Sequence, residues 1–451
     1  MVEELPARIR RGYALGGVAT GVYGTVPSLL LMPYLTEELG VGALLAGLIV
    51  FAPKAWDFVC NPLAGRISDR VRRRDRRRPF LLVAGPVMGL GLAFIFTGPS
   101  TPFLLALAWV LVANLVAATA YAFFQVPYLA MSAEVTGDYG VRTQMMAWRV
   151  GVVTSAIAVS GVIAPWLATT AGGYRAMGAV AGVVIVAGSL AVWWCTRGAP
   201  VVRAEPAGGG LRDQLRVVLG NAHARPLVIA LVLQAAGTSM LLAAVAYAAR
   251  VLLGDATTGS YLFAAFVLPG VLSAPLWAWL GRRNGKKGGY LIATAVLGCG
   301  LVAMVGAWSG SLAWCVVWAA VTGAGYAGIQ VFPLAMLPDV AAHDARTTGH
   351  NRIGLFSGVW AGCELLGFAL GPGLLGVVLA LGGYEGGLDA YDDAARLAVL
   401  AGTSLVPAAL VLLSLPAIRA YRLDQALRTT PPGSPGAPGS PESPVESAAT
   451  H

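Results

Sequence analysis

The sequence predicts an all-α, polytopic membrane protein with twelve transmembrane helices arranged as two parallel six-helix repeats. Apolar residues make up 57% of the 451 residues and charged residues only 12%, whereas a soluble domain has about 25% charged residues. Residues 79–133 and 288–338 contain no charged side chain, and each run is long enough for two spans of about 20 residues. Two similar segments, 125–135 and 330–340, lie 205 residues apart and indicate a duplication.

The repeated segments agree at six of eleven positions, and a seventh exchanges Glu for Asp. Each copy is followed by a further acid and an arginine, which are Asp138 and Arg142 in the first copy and Asp344 and Arg346 in the second. Two halves in the same orientation are typical of a transporter built from parallel repeats.

Largely uncharged runs predict the twelve spans, six in each half. They lie near residues 13–36, 42–66, 79–97, 103–133, 144–170, 176–196, 226–250, 258–280, 288–307, 312–337, 352–381 and 397–418. Several are longer than a bilayer requires, so we expect tilted helices.

The basic residues predict the orientation. With the N-terminus inside, 27 of the 31 basic residues fall in cytoplasmic segments or adjoining helix turns. The opposite orientation would export residues 70–78 with their seven arginines. We therefore expect a multi-pass protein of the cell (plasma) membrane with both termini cytoplasmic. The net charge of +9 reflects this topology and gives no reason to expect a nucleic-acid partner.

These spans divide the chain into four parts: an N-terminal six-helix bundle (1–196), a polar cytoplasmic linker (197–224), a C-terminal six-helix bundle (225–420) and a disordered cytoplasmic tail (421–451). Residues 429–451 are rich in Pro, Ser and Gly and cannot bury a core. The four histidines and five cysteines match no metal or redox spacing, and no phosphate-binding loop occurs. We therefore expect no enzyme activity, no metal and no cofactor.

Few ionisable residues lie inside the spans, where each costs about 2.5–3.5 kcal/mol at the bilayer centre and usually faces a cavity or a partner. Lys54, Asp57 and Asn61 share one helical face, because they are three and four residues apart. Arg149 and Glu364 lie at similar depth in other spans, so all could form one polar layer near mid-membrane.

The segment from Lys54 to Leu63, followed by residues 65–70, resembles helix 2 and the next loop of the glycoside-pentoside-hexuronide:cation symporter family. This is the melibiose-permease-like branch of the major facilitator superfamily. Residues 127–149 and 334–372 also resemble it, and the resemblance extends to about residue 420. It implies secondary transport of a sugar, glycoside or similar hydroxylated solute by alternating access. We expect a monomer in the bilayer.

The resemblance further implies a cation site with two aspartates four residues apart on helix 2. Asp57 matches the first aspartate, but Asn61 stands at the second and Leu365 at a helix-11 lysine. A lone buried carboxylate suits H⁺ better than Na⁺, because desolvation favours its protonated form. We expect H⁺ coupling, or none, over Na⁺ coupling. Alternatively, Asp57 forms a salt bridge with Lys54, and Asn61 only hydrogen-bonds a neighbouring helix.

For substrate binding, Arg149 resembles a substrate-contacting arginine, although it could instead reach toward the cytoplasmic interface. The family's sugar-binding carboxylates align with Gly21 and Gln125, so melibiose itself is not expected. Gln125 could hydrogen-bond a ligand or serve structure. Glu364 could pair with Arg149 or Lys54, or titrate. Aromatic residues that could stack on a sugar, or simply pack, are Tyr23, Tyr121, Tyr128 and Trp360.

Cytoplasmic charges fit a gating role. Asp69 and Arg70 belong to a loop resembling the superfamily motif that latches the halves in the outward-open state. The facing charges are expected to be Glu134, Asp138, Arg142, Asp339 and Asp344.

Two other functions stay open. The missing sugar carboxylates would fit an exporter of a secondary metabolite or a lipid-like amphiphile. The incomplete ion site would fit a non-transporting membrane sensor, although Asp57, Arg149 and the loop motif argue against it.

Overall fold

The computed structural model describes residues 6–70, 77–135, 139–170, 172–199, 211–348, 352–388 and 390–423, and within these ranges it contains helices and no strand. The helices are α1 Ala7–Glu38, α2 Ala43–Arg70, α3 Arg78–Thr97, α4 Phe103–Val135, α5 Tyr139–Ala168, α6 Gly173–Cys195, α7 Leu211–Gly220, α8 Ala224–Leu252, α9 Thr258–Leu272, α10 Ala274–Ser309, α11 Leu312–Thr348, α12 Ile353–Leu381 and α13 Asp393–Ala420. In the described part of the chain, eleven of these are long and apolar enough to cross a membrane, and α9 is a shorter apolar helix. The all-α polytopic prediction is confirmed.

The region predicted as spans 258–280 and 288–307 is divided differently. α9 ends at Leu272, and α10 restarts after Ser273, because Pro275 has no N–H to continue the helical ladder. Inside α10, Gly285 adopts φ 78° and ψ 166°, a conformation essentially limited to glycine. The eighth crossing therefore consists of α9 and the first part of α10, and the ninth is the part of α10 after Gly285. Counted in this way, the described helices make the expected twelve crossings.

The same helix pairs pack together in both halves. In the first half, α1 packs on α5 and α6, α2 on α4, and α3 on α4 and α6. In the second half the equivalent pairs are α8 with α12 and α13, α9 with α11, and α10 with α11 and α13. This correspondence is what a duplicated six-helix unit predicts.

Within the described ranges, the two halves are in close contact at the face opposite the N-terminus, which we call the distal face. Here α2 crosses α12 so closely that a Cβ on Gly47 would lie 2.9 Å from the Pro372 carbonyl oxygen and 3.0 Å from the Gly376 Cα. Thr36 Oγ1 and the Tyr247 hydroxyl also form a hydrogen bond of 2.9 Å between α1 and α8. The distal face is therefore closed between the halves.

Only part of the expected gating set can be placed. The side chains of Asp69, Arg70, Glu134 and Arg142, and the whole of Asp138, lie outside the described residues. Asp339 pairs with Lys286 at 2.5 Å, and Asp344 lies 3.9 Å from Arg352. Asn221 Nδ2 also donates to Asp344 Oδ1 at 3.2 Å. These described contacts join elements of the second half to one another or to Asn221 of the segment 197–224, and not to the first half.

Candidate functional site

The ammonium group of Lys54 is bound by α1. Lys54 Nζ donates to Ser28 Oγ at 3.2 Å, and the Ser28 hydroxyl donates in turn to the Gly24 carbonyl at 2.7 Å. Lys54 and Asp57 are both described, yet they form no ion pair with each other. The salt bridge considered from the sequence is thus replaced by a contact between helices.

Asp57 lies buried on α2 with 6% of its surface exposed, and its Oδ1 has no hydrogen-bond partner. Asn61 Oδ1 and Gln125 Oε1 are also buried without a partner. Leaving such an oxygen unsatisfied costs about 1–3 kcal/mol, so each one is a place where a ligand donor could bind. None of these three oxygens accepts a hydrogen bond from the described residues.

These oxygens lie on packed stretches of two helices. Trp56 Nε1 donates to Thr119 Oγ1 at 3.0 Å, and further along the helix a Cβ on Gly65 would lie 3.7 Å from Val126. The two contacts bracket Asp57 and Asn61 on α2 and Gln125 on α4. Because α2 and α4 run in the same direction, the three acceptors lie at a similar depth along the helix axes of the first half.

Arg149 projects from α5 toward this level. Its guanidinium carbon lies 5.4 Å from the Tyr128 ring centroid, and its Nε is buried without a hydrogen-bond partner. This stacking holds the guanidinium against the Tyr128 ring, within the helix packing.

Tyr128 supports Arg149 and offers no open face to a solute. Its ring is fully buried and stacks on Tyr13 at 4.7 Å between centroids. The Tyr128 hydroxyl donates to the Tyr13 carbonyl at 2.7 Å, and the Tyr13 hydroxyl donates to the Tyr128 carbonyl at 3.0 Å. The reciprocal bonds fix the ring on which the guanidinium rests.

Two other aromatic candidates are also mainly packed. Tyr23 is 9% exposed and stacks on Tyr121 at 4.8 Å. Trp360 is 4% exposed and lies in the apolar core of the second half. Their placement fits the packing role that the sequence also allowed. Tyr121, by contrast, is half-buried.

Glu364 brings the second half into the same layer. The Gln330 side chain of α11 lies near its carboxyl, and in the described residues Glu364 forms no ion pair with Arg149 or Lys54. The Tyr121 hydroxyl lies within electrostatic range of Asp57, Arg149 and Glu364. The polar layer therefore includes Glu364 of the second half as well as Asp57 and Arg149 of the first.

Sequence reasoning missed Ser28 as the partner of Lys54. The sequence does contain a signal for this contact. Gly21, Gly24 and Ser28 are three and four residues apart and so give α1 one face of small residues. Gly24 is exposed, and a Cβ there would meet no atom within 4 Å.

Among the described residues, no cluster of three or more His, Cys, Asp or Glu could hold a metal ion.

Several known proteins resemble this chain along most of its length. The inner membrane symporter YicJ of Escherichia coli is 23% identical, covering 93% of this chain and 92% of the relative. The glucuronide carrier protein homolog of E. coli is 26% identical, covering 94% of each. The sodium-dependent lysophosphatidylcholine symporter 1-A of Danio rerio is 22% identical, covering 92% and 86%.

Solved structures agree on the fold. The nucleoside transporter NupG superposes with a TM-score of 0.68 at 12% identity, covering 92% of this chain and 100% of that one. An inward-facing bacterial homologue of the human lysosomal transporter Spinster gives 0.66 at 17% identity, covering 93% and 98%. At these identities the likeness establishes the architecture alone.

The family match covers most of the chain. Residues 12–425 match the family described as MFS/sugar transport protein, which confirms the resemblance found in the sequence and assigns the chain to membrane transporters and not to enzymes. The chain belongs to the MFS/sugar transport family and to its melibiose-permease-like symporter branch.

Proposed function

We propose that the protein is a proton-coupled carrier of a sugar, glycoside or similar hydroxylated solute. The observation that carries the proposal is the set of unpartnered polar atoms in one layer: the acceptors on Asp57, Asn61 and Gln125, and the donor on Arg149. Hydroxyl groups both donate and accept, so a polyol could satisfy all four. The names of relatives such as the glucuronide carrier homolog support the same substrate class.

Asp57 is the proposed proton carrier. A Na⁺ site gains affinity from several charged oxygens, whereas here one carboxylate stands with two amide oxygens. The Lys54 ammonium, one helical turn away, adds a positive charge that disfavours a second cation. A proton needs only the carboxylate, and protonation also removes a buried negative charge.

In an alternating-access cycle, the closed distal face can be assigned to one conformational state. With the proposed cytoplasmic N-terminus, the distal face is the outer face, and the described contacts there would correspond to an inward-facing form. Transport then requires the halves to separate at the distal face while the opposite face closes. We place the protein, as a monomer, in the plasma membrane.

The direct test is the melting temperature of the detergent-purified protein against sugars, glycosides and lysolipids, each in Na⁺ and in choline buffer. A glycoside should raise the melting temperature equally in both buffers, and Arg149→Gln should remove the rise. Arg283→Gln is the matched control, because Arg283 also stacks on an aromatic ring, Trp279 at 5.6 Å, but outside this layer. A response to lysolipids alone would replace the sugar assignment with an amphiphile carrier.

A further inference from the structure

The carboxylate of Glu37, at the distal end of α1, receives all of its described partners from the other half of the protein. Arg250 Nη1 of α8 lies 2.9 Å from Glu37 Oε2, and the Gly387 N–H donates to the same oxygen at 3.0 Å. The Tyr384 hydroxyl donates to Oε1, and the Tyr391 hydroxyl lies 3.5 Å from Oε2. One carboxylate of the first half therefore binds four donors of the second.

Three of those donors come from the connection between α12 and α13, residues 382–388 and 390–392, which we call the distal strap. Tyr384 is 4% exposed and inserts between the halves. It stacks on Tyr391 at 5.3 Å and meets Tyr247 of α8 edge-on at 5.3 Å. The strap is thus packed into the seam between the halves.

The backbone of the strap also touches α1. A Cβ on Gly386 would lie 2.0 Å from the Thr36 carbonyl oxygen, so only glycine fits at this distance. Gly387, whose N–H reaches Glu37, has φ +79°, a value that glycine adopts without penalty. Both glycines are needed for the strap to lie this close to α1.

The two helices that carry the ion pair end in the same unusual way. α1 closes with a π-helical turn at Tyr34–Glu38, and α8 closes with one at Ala248–Leu252. These helices are equivalent in the two halves, and π-helical turns are frequent at functional positions. The duplication therefore places Glu37 and Arg250 on matching turns that face each other across the seam.

Tyr384 of the strap also lines a cavity. A space of about 240 Å³ lies between the halves, and its lining includes Glu37, Tyr174, Arg250, Phe263 and Tyr384. Because Glu37, Arg250 and Tyr384 all belong to this wall, loss of their contacts would open the cavity toward the distal side.

We propose that the distal strap is the lid of the distal face and that Glu37 is the residue that locks it. A carboxylate held by an ion pair and several hydrogen bonds favours the closed form, and its loss shifts the population toward a form open at the distal face. The proposal rests on alternating access but needs no knowledge of the solute, so the two can fail separately.

The test places a reporter cysteine at Gly24, which is exposed and has space for a side chain. The five native cysteines, which form no disulfide, are first replaced. A membrane-impermeant maleimide is added to the outside of whole cells or, separately, to inverted vesicles. With Glu37 present, labelling should be fast in inverted vesicles and slow from outside. Glu37→Gln should accelerate outside labelling about tenfold or more, the factor expected from losing a charge-assisted hydrogen bond.

Matched variants separate the lock from general damage. Glu38→Gln is the control, because the exposed Glu38 makes no ion pair or hydrogen bond within the described chain. Gly386→Ala should open the face by steric clash without changing any charge, and exchanging the pair as Glu37→Arg with Arg250→Glu should partly restore slow labelling. Unchanged outside labelling in both Glu37→Gln and Gly386→Ala, in protein that still elutes as a single species, would overturn the proposal.

Discussion

Lys54 and Asp57 are one helical turn apart on α2, yet they are not paired: Lys54 Nζ binds Ser28 Oγ at 3.2 Å, and Asp57 Oδ1 has no partner. The lysine is thereby anchored to α1, while the carboxylate stays buried and unsatisfied. A group in this state is costly unless it binds something during the working cycle. This separation is the basis for the proposal that Asp57 carries the coupling proton.

Asp57→Asn should abolish proton-driven accumulation, because an amide neither takes up nor releases a proton at this position. With an imposed gradient of one pH unit, a carrier moving one proton per solute accumulates its solute about tenfold, and the variant should not exceed equilibration. Exchange of labelled for unlabelled solute should continue. Asp393→Asn, whose carboxyl is 88% exposed, should behave like the unmodified protein.

Asn61→Asp should introduce a response to Na⁺. The change restores a second carboxylate four residues from Asp57, and two charged oxygen groups suit a hard cation better than one. The melting temperature of this variant should rise in Na⁺ relative to choline buffer, whereas that of the unmodified protein should not differ between the two buffers. An equal Na⁺ response in both proteins would refute the interpretation of Asn61.

Arg149→Lys should weaken solute binding about tenfold or more, even though the charge is kept. Lysine lacks the planar fork and cannot rest on the Tyr128 ring as guanidinium does. The dissociation constant can be measured by titration with the stabilising glycoside. Arg283→Lys, at the other stacked arginine, should leave the constant unchanged.

Tyr290→Phe should destabilise the second half. The Tyr290 hydroxyl donates to Gln234 Oε1 at 2.8 Å, and Gln234 Nε2 donates to Thr294 and Ser414 at 3.0 and 2.9 Å, all within buried packing. Removing the hydroxyl leaves a buried acceptor unsatisfied at a cost of about 1–3 kcal/mol. The melting temperature should fall by several degrees, whereas Tyr261→Phe, at a side chain 62% exposed, should have no effect.

His223→Gln should reduce the loss of stability in mild acid. Burial, together with the nearby His343, lowers the pKa of His223 below its ordinary value of 6.5. The folded state therefore binds this proton less readily than the unfolded state. The stability that neutral His223 permits is complete above pH 6.5, and the free energy of unfolding declines as pH falls below that value. Melting temperatures between pH 7.5 and 5.5 should fall less in the variant; an identical slope would contradict this role.

The sequence was sufficient to predict the architecture and to select the charged residues of the polar layer. Twelve spans follow from the distribution of apolar and charged residues, since lipid leaves few alternatives to helices. Asp57, Arg149 and Glu364 could be identified because charges inside spans are rare. The neighbours of Lys54 and Glu364 could not, because Ser28 and Gln330 are ordinary polar residues until the packing of α1 on α2 and of α11 on α12 is known.

The distal contacts were beyond sequence reasoning for a different reason. Glu37 and Arg250 stand at the ends of spans, where charged residues are common and carry no special signal. Their pairing depends on how the two halves dock, which is a contact between residues 213 positions apart. The break between α9 and α10 was likewise missed, although Pro275 and Gly285 are local signals that could have indicated it.

The most direct test of proton coupling is uptake of the stabilising glycoside into proteoliposomes under a pH gradient, a Na⁺ gradient or neither. Proton coupling predicts accumulation above equilibrium with the pH gradient alone, no effect of Na⁺, and loss of accumulation in Asp57→Asn. Accumulation that requires the Na⁺ gradient, or that persists in Asp57→Asn, would contradict the assignment of Asp57 as the proton carrier.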